Sequence, residues 1–502
     1  MPRRPSPVQE TTSPGGGTTT TTTTTTTLTS TRSRTVPGSC WPCKKRRVKC
    51  DLGKPICQRC LSLGAPCDYN TRLIRWSKPA SSASPPPSTT TPSPKIRSLS
   101  PFSGSDRRLG SRERLALDYF HSRVWPLLST AEEPCPPPIP VALEHRAVLL
   151  TTCLLAESHR FLQDGAGDLD HLNDQRMECL AAVRSDVDEC CTSVAEQGGG
   201  RSLLTLLFAV LFLYIDDGFM ECMRRHASTW SHHAGVLAVL KSMGGMEKML
   251  TTGPEALQML LSEFASADLT TAVLQTKRPA VSPPTWDVID RGAVWWGLDG
   301  MRRYSLASTF KLLSEIAFYI DDIARGTDSL SMGRIREFEI ALRPMNAPIS
   351  VRDLHLAGAL DEKAAADTSE PDGDSLQLLT LLRAFQHGAL IYLYRALCGL
   401  SATHPLVQQH VQSCLEAVLE IPPEAHALNC VIFPLCIAGA HAGGEKQREV
   451  VLHMVNKIHE NMKFAAVQLV RMLFHELWTS ADAHTLTWRD MFAKLGPHVL
   501  IL

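Results

Sequence analysis

Six cysteines fall within 28 residues, at a spacing that occurs twice over. Cys40, Cys43 and Cys50 follow the pattern C-x2-C-x6-C, and Cys57, Cys60 and Cys67 repeat it after a gap of six residues. One such unit offers three thiolates, one too few for the four-sulfur tetrahedral shell that structural zinc prefers. Two zinc ions need eight sulfur positions, and six thiolates fill them only when two sulfurs bridge both metals. The spacing therefore predicts one binuclear cluster rather than two separate sites. Thiolate-rich tetrahedral sites suit zinc, although cadmium or copper(I) could take them in vitro. Gly53 and Pro55 lie between the halves, where the chain must turn. A segment this short cannot stabilise itself by burial. Metal binding has to supply most of its folding free energy, on the order of 10 kcal/mol for each zinc.

The halves match in sulfur but not in charge. Lys44, Lys45, Arg46, Arg47 and Lys49 lie between Cys43 and Cys50, whereas the corresponding residues 61–66 carry no charge. Residues 40–78 hold ten basic and two acidic side chains. That density can neutralise several phosphates and makes binding steeply salt-dependent. A short basic helix fixed by metal suits the DNA major groove, where Arg or Lys reaches guanine O6 and N7. A zinc ribbon or RING-like protein-contact module would explain the cysteines but not the cationic run.

The charge imbalance extends along the chain. Its 502 residues carry 51 basic and 51 acidic side chains, yet residues 1–110 hold 18 Lys and Arg against 4 Asp and Glu. The remainder holds 33 against 47. A basic head on an acidic body points to a polyanionic partner for the head. An apolar content of 44% is enough to bury a core, which excludes a wholly disordered chain.

Four segments follow from composition. Residues 1–38 are low-complexity, with ten consecutive threonines at 18–27, and are expected to be a disordered tail. Residues 39–78 contain the cysteines. Residues 79–110 form a Ser/Pro/Thr-rich, disordered linker. From 111 to 502 apolar residues recur at three and four, as in Leu376, Leu379, Leu382 and Phe385, which predicts one large all-α domain. Candidate helices cover 143–163, 174–195, 202–215, 219–243, 255–274, 303–325, 376–399, 406–420, 446–460 and 462–478. Breakers separate several of them, including Gly244-Gly245, Pro283-Pro284 and Pro422-Pro423. Pro126 is expected to kink or end the first helical stretch, and residues 361–374 read as an exposed acidic loop.

Other classes find no support. The longest apolar run, 203–215, is 13 residues and is closed by Asp216 and Asp217. A membrane helix needs ~20, so this run is read as a core helix and no membrane is expected among the partners. The chain opens on polar residues without a secretory signal, which favours reduced thiols. Cys40-Trp41-Pro42-Cys43 has the string of a redox motif but not its strand–helix context. The body lacks G-x-S-x-G, H-E-x-x-H, P-loop and G-x-G-x-x-G strings, so no enzyme is expected. His226, His232 and His233 beside Cys222 are read as polar positions of an amphipathic helix rather than a metal site.

Taken together, the stretch from Ser39 to Asp51 and that from Lys54 to Cys60 resemble the fungal Zn2Cys6 binuclear-cluster family of transcription factors. The resemblance implies that Cys40 and Cys57 bridge two zinc ions. One ion would use Cys40, Cys43, Cys50 and Cys57, and the other Cys40, Cys57, Cys60 and Cys67. By position, Arg46 and Arg47 match the base-reading pair, while Lys44, Lys45 and Lys49 match phosphate contacts. A CGG-type triplet is the implied core site.

The body is similar to the fungal-specific transcription factor domain that accompanies such clusters. That similarity rests on Leu117-Asp118-Tyr119-Phe120, Trp230 with His233, residues 433–439, and Trp488-Arg489-Asp490. It implies a regulatory role, and in some relatives a sterol-like apolar ligand. Beyond Cys67 no heptad run sustains a coiled coil. The protein then binds single sites, or the helical body supplies the contact of a homodimer. The expectation is a nuclear regulator of RNA polymerase II transcription. Double-stranded DNA and the transcription machinery or co-regulators are its partners, and a metabolic or secondary-metabolite gene cluster is its target. The competing reading is a zinc-stabilised scaffold that binds nucleic acid or acidic protein without sequence choice.

Overall fold

The computed structural model describes residues 40, 43, 48–54, 56–63, 67, 109–129, 134–165, 168–193, 200–292, 305–344, 373–480, 485–495 and 498–501. The tail at 1–38, the linker through residue 108 and most of the acidic stretch 361–374 lie outside them. The chain divides into two units, Met1–Ser103 and Gly104–Leu502. Among the described residues there are helices and no strand.

The larger unit begins at Ser111–Tyr119, where the Glu113 carboxylate accepts the Gly110 N–H at 2.7 Å and closes the first turn. This helix passes through a π-helical turn, Phe120–Val124, into Trp125–Leu127. Pro126 occupies that last turn, and the chain leaves the helix at Leu128, as a residue lacking an N–H favours. The core then builds around Glu255–Gln275, which is buried on nearly all sides. Its apolar residues include Leu257, Leu260, Leu261, Phe264 and Leu269. Three of its small polar residues are satisfied by the helix's own backbone. Ser262, Ser266 and Thr270 donate their hydroxyls to the carbonyls of Gln258, Ser262 and Ala267. Trp488, opening the short helix Trp488–Phe492, donates its indole N–H to the Val273 carbonyl at 2.9 Å.

The second half of the unit packs Gly373–Tyr392, Pro405–Glu420, Ile432–Ala440, Glu445–Met462 and Ala465–Thr479 against one another. Every residue of Ile432–Ala440 is buried. A Cβ on Gly439 would lie 2.5 Å from the Phe474 ring and 2.8 Å from Val451, so glycine is what lets the neighbouring helices approach. Among the described residues the larger apolar core runs from Ala116 to Ile501, and a smaller cluster gathers Leu150, Leu154, Leu172, Cys179 and Leu213. The described residues of the body are all-α.

One predicted helix is broken. Residues 219–243 do not form a continuous element: Gly200–Ile215 runs into a π-helical turn at Asp216–Met220, and helix resumes only at Thr229–Ser242. Buried charges divert the chain between. Asp217 turns inward, pairs with Arg176 at 2.5 Å and accepts the Ser228 N–H at 2.8 Å. Glu221 pairs with Arg224 at 2.5 Å. The window 203–220 is long and apolar enough to cross a membrane, but 89% of it is inside the fold, as a core helix requires.

Candidate metal centre and nucleic-acid interface

The cysteine-rich unit folds around its own sulfur. Cys40, Cys43, Cys57 and Cys60 have no solvent exposure, Cys50 has 4%, and Cys67 is partly buried. Cys40 Sγ lies 3.6 Å from Cys57 Sγ, 3.7 Å from Cys60 Sγ and 3.8 Å from Cys50 Sγ. Cys43 Sγ lies 3.7 Å from Cys57 Sγ. Four sulfurs about 2.3 Å from one zinc form a tetrahedron with edges of roughly 3.8 Å, so these separations fit the ion. Two sets of four emerge, Cys40 with Cys43, Cys50 and Cys57, and Cys40 with Cys57, Cys60 and Cys67. Within each set the sulfurs all lie within 4.8 Å of one another, and Cys40 and Cys57 belong to both. The geometry and the donor chemistry fit a binuclear zinc cluster.

Local hydrogen bonds set this arrangement. The Cys43 N–H donates to the Cys40 carbonyl at 3.2 Å and the Val48 N–H to the Cys43 carbonyl at 3.1 Å, which curls the first half. Leu52 adopts a left-handed φ of 63°, and its N–H donates to Cys50 Sγ at 3.4 Å. The second half opens with the helix Gln58–Ser62, where Cys57 Sγ accepts the Cys60 N–H at 3.4 Å. Asp51 bridges the halves. Its carboxylate accepts the backbone N–H groups of Gln58 at 3.0 Å, Gly53 at 3.3 Å and Arg59 at 3.4 Å. These bonds, that from Gln58 foremost, hold its carboxyl below the usual range. Nothing in the cysteine spacing announced this role.

The thiols are electrostatically unequal. Burial pushes the Cys57 thiol up, but hydrogen bonds from the Cys60 N–H and from the thiols of Cys60, Cys40 and Cys43 outweigh it and bring it down to about 6. Burial raises Cys40 strongly and Cys60 to about 12. Thiolate ligation therefore has to displace protons from most of these sulfurs, which makes metal affinity depend on pH.

Of the predicted DNA contacts, Lys49 is described and is exposed beside Cys50. Lys44, Lys45, Arg46 and Arg47 lie outside the described residues. Val48 packs on the sulfur cluster.

In the helical unit the three histidines near Cys222 each meet a carboxylate instead of one another. His233 Nε2 lies 2.8 Å from Asp268, His232 Nε2 3.2 Å from Asp217, and His226 Nε2 3.4 Å from Glu221. Among the described residues only the cysteine sets gather ligand atoms closely enough to hold a metal ion. Buried Arg395 reaches no carboxylate among the described residues. It donates to His441 Nε2 at 3.0 Å, to the Leu486 carbonyl at 2.8 Å and to the Leu400 carbonyl. Burial keeps His441 neutral, with its pKa lowered to about 4, so that it can accept.

The sequence matches the fungal specific transcription factor domain over residues 114–502, and the fungal Zn(2)-Cys(6) binuclear cluster domain over residues 38–77. Among curated proteins it is similar to arginine metabolism regulation protein II of Saccharomyces cerevisiae (strain ATCC 204508 / S288c). The two are 50% identical over 48 residues, which are 10% of this chain and 5% of the yeast protein. No solved structure matches the chain.

Proposed function

Because this chain belongs to the fungal specific transcription factor domain family and carries a Zn(2)-Cys(6) binuclear cluster domain, we propose that it is a nuclear, sequence-specific regulator of RNA polymerase II transcription that reads a CGG-type site. The observation that carries the reading is the pair of overlapping thiol sets that share Cys40 and Cys57, with the basic run threaded between Cys43 and Cys50. Cys40, Cys43, Cys50 and Cys57 hold one zinc, and Cys40, Cys57, Cys60 and Cys67 hold the other. Bound zinc supplies the folding free energy of the reader.

Arg46 and Arg47 then read guanine edges, and Lys44, Lys45 and Lys49 neutralise flanking phosphates. The helical body is a regulatory partner surface and carries no catalytic role. The similarity to the yeast regulator covers the reader and supports this mode of DNA recognition. That relative is named for the regulation of arginine metabolism, and control of metabolic or secondary-metabolite genes is the corresponding reading here.

The test is binding of the full-length protein to duplexes that differ only in a CGG triplet, at moderate salt. A loss of about tenfold or more on replacing the triplet is expected. Equal affinity for all duplexes would favour the non-specific zinc scaffold instead.

A further inference from the structure

Three helices of the larger unit meet at a cleft of about 170 Å³: Ser111–Tyr119, the end of Arg146–Asp164 and the start of Leu169–Ser193. A cavity of about 150 Å³ admits benzene, so a small apolar group has room here. Phe161 and Leu172 form the apolar part of the lining. Arg112, Glu157, Arg160, Asp168 and His171 complete it, two guanidinium groups against two carboxylates beside an imidazole. The lining is rich in charge yet close to neutral in sum.

These groups differ in how far their neighbours satisfy them. Arg160 pairs with Glu157. Arg112 meets no carboxylate among the described residues. Its Nη1 donates to His171 Nε2 at 2.9 Å, which holds the guanidinium at the cleft and leaves Nε and Nη2 without a partner among the described residues. A guanidinium has donors and no acceptor, so that imidazole nitrogen accepts. Asp168 is also half used. Its Oδ1 accepts the N–H groups of Asp170 at 3.1 Å and His171 at 3.2 Å, capping the helix, while Oδ2 has no partner among the described residues. One cleft thus offers unused donors, an unused acceptor and an apolar wall.

We propose that this cleft binds a small α-amino acid with an aliphatic side chain, its carboxylate on Arg112, its ammonium on Asp168 and its side chain against Phe161 and Leu172. Each part of the ligand follows from a part of the lining. Arginine presents paired N–H groups that match a carboxylate in a two-point, charge-assisted contact. An ammonium has donors and no acceptor, so it suits Asp168 Oδ2 and no arginine. A lone anion would face Asp168 uncompensated, and a lone cation would face Arg112. A zwitterion adds no net charge to a lining that is already close to neutral. The isobutyl group of leucine is smaller than benzene and fits the space. Occupancy gives the helical unit a metabolite input of its own.

Calorimetric titration of the full-length protein with L-leucine, 4-methylpentanoate, 3-methylbutylamine and glycine tests this. The second and third probes are leucine without its amine and without its carboxylate. Leucine should bind about tenfold more tightly than each of the others, since each lacks a charge-assisted contact or the apolar one. Arg112→Gln should remove the advantage of leucine over 3-methylbutylamine. Asp168→Asn, whose carbonyl oxygen still caps the helix, should remove its advantage over 4-methylpentanoate. Arg112 and Asp168 are both exposed, so neither exchange disturbs the core. No binding of leucine, or equal binding of leucine and either single-charge analogue, would overturn the proposal. A glycine response matching that of leucine would do the same, as would leucine binding that neither exchange weakens.

Discussion

Asp51 Oδ2 accepts the backbone N–H of Gln58 at 3.0 Å, tying the loop after the first three cysteines to the helix that opens the second three. Asp51→Ala should therefore loosen both halves at once. Zinc should pass to a chelator several-fold faster than from the unaltered protein, with Asp51→Asn intermediate because one acceptor oxygen remains. Equal release rates in a colorimetric zinc assay would show that the carboxylate does not brace the cluster.

The basic run divides by role. Lys44→Gln, Lys45→Gln and Lys49→Gln should each weaken binding on every duplex alike and reduce the slope of log K against log salt by about 1. Arg47→Ala should instead reduce the discrimination for CGG by roughly 1–3 kcal/mol. A loss equal on cognate and scrambled DNA would make that arginine a phosphate contact.

Asp217 is wholly buried against Arg176, His232 and the Ser228 N–H. Burial works against its charge, but these partners outweigh it and hold its carboxyl below the usual range. Asp217→Ala leaves the Arg176 guanidinium with Asp216 alone, at 3.4 Å, and should cost ~3 kcal/mol. Urea unfolding followed by circular dichroism measures it, and a cost under about 1 kcal/mol would contradict the pairing.

Asp216, next in the chain, behaves oppositely. Burial and the nearby Glu221 and Asp217 carboxylates raise it from 3.8 to about 8, against the pull of Arg176. It binds its proton more tightly when folded than when unfolded. Its contribution to stability is fully present below about pH 4 and is lost as pH rises towards 8. Asp216→Asn should flatten that decline, gaining on the order of a few kcal/mol relative to the parent at pH 8. Identical pH profiles for the two proteins would place the charge on Asp216 rather than a proton.

Much of this architecture is legible in the sequence. Cysteine spacing limits which sulfurs can meet, and the four-ligand demand of zinc reduces the choices to a shared cluster, so the chemistry was readable from six positions. Helices with a solvent face were also readable: 406–420 differs from Pro405–Glu420 by one residue at a boundary. Ile432–Ala440 was missed as a helix because, buried all round, it carries no periodic contrast. Met246–Thr252 and Thr285–Gly292 are too short to establish one. The broken helix at 221–228 and the pairing of His233 with Asp268 arise from contacts between residues distant in sequence. Neither local propensity nor spacing encodes them. Asp51 is a single acidic residue beside a cysteine, and its capping role exists only once the sulfur cluster has folded the loop back.

The central claim is that six thiolates share two metals, and counting zinc by native mass spectrometry in Cys57→Ser tests it most directly. The unaltered chain should carry two zinc ions, and the variant, deprived of a sulfur common to both sets, should lose both together with its folded reader. A variant that retains two ions, or a parent chain that binds only one, would contradict the account.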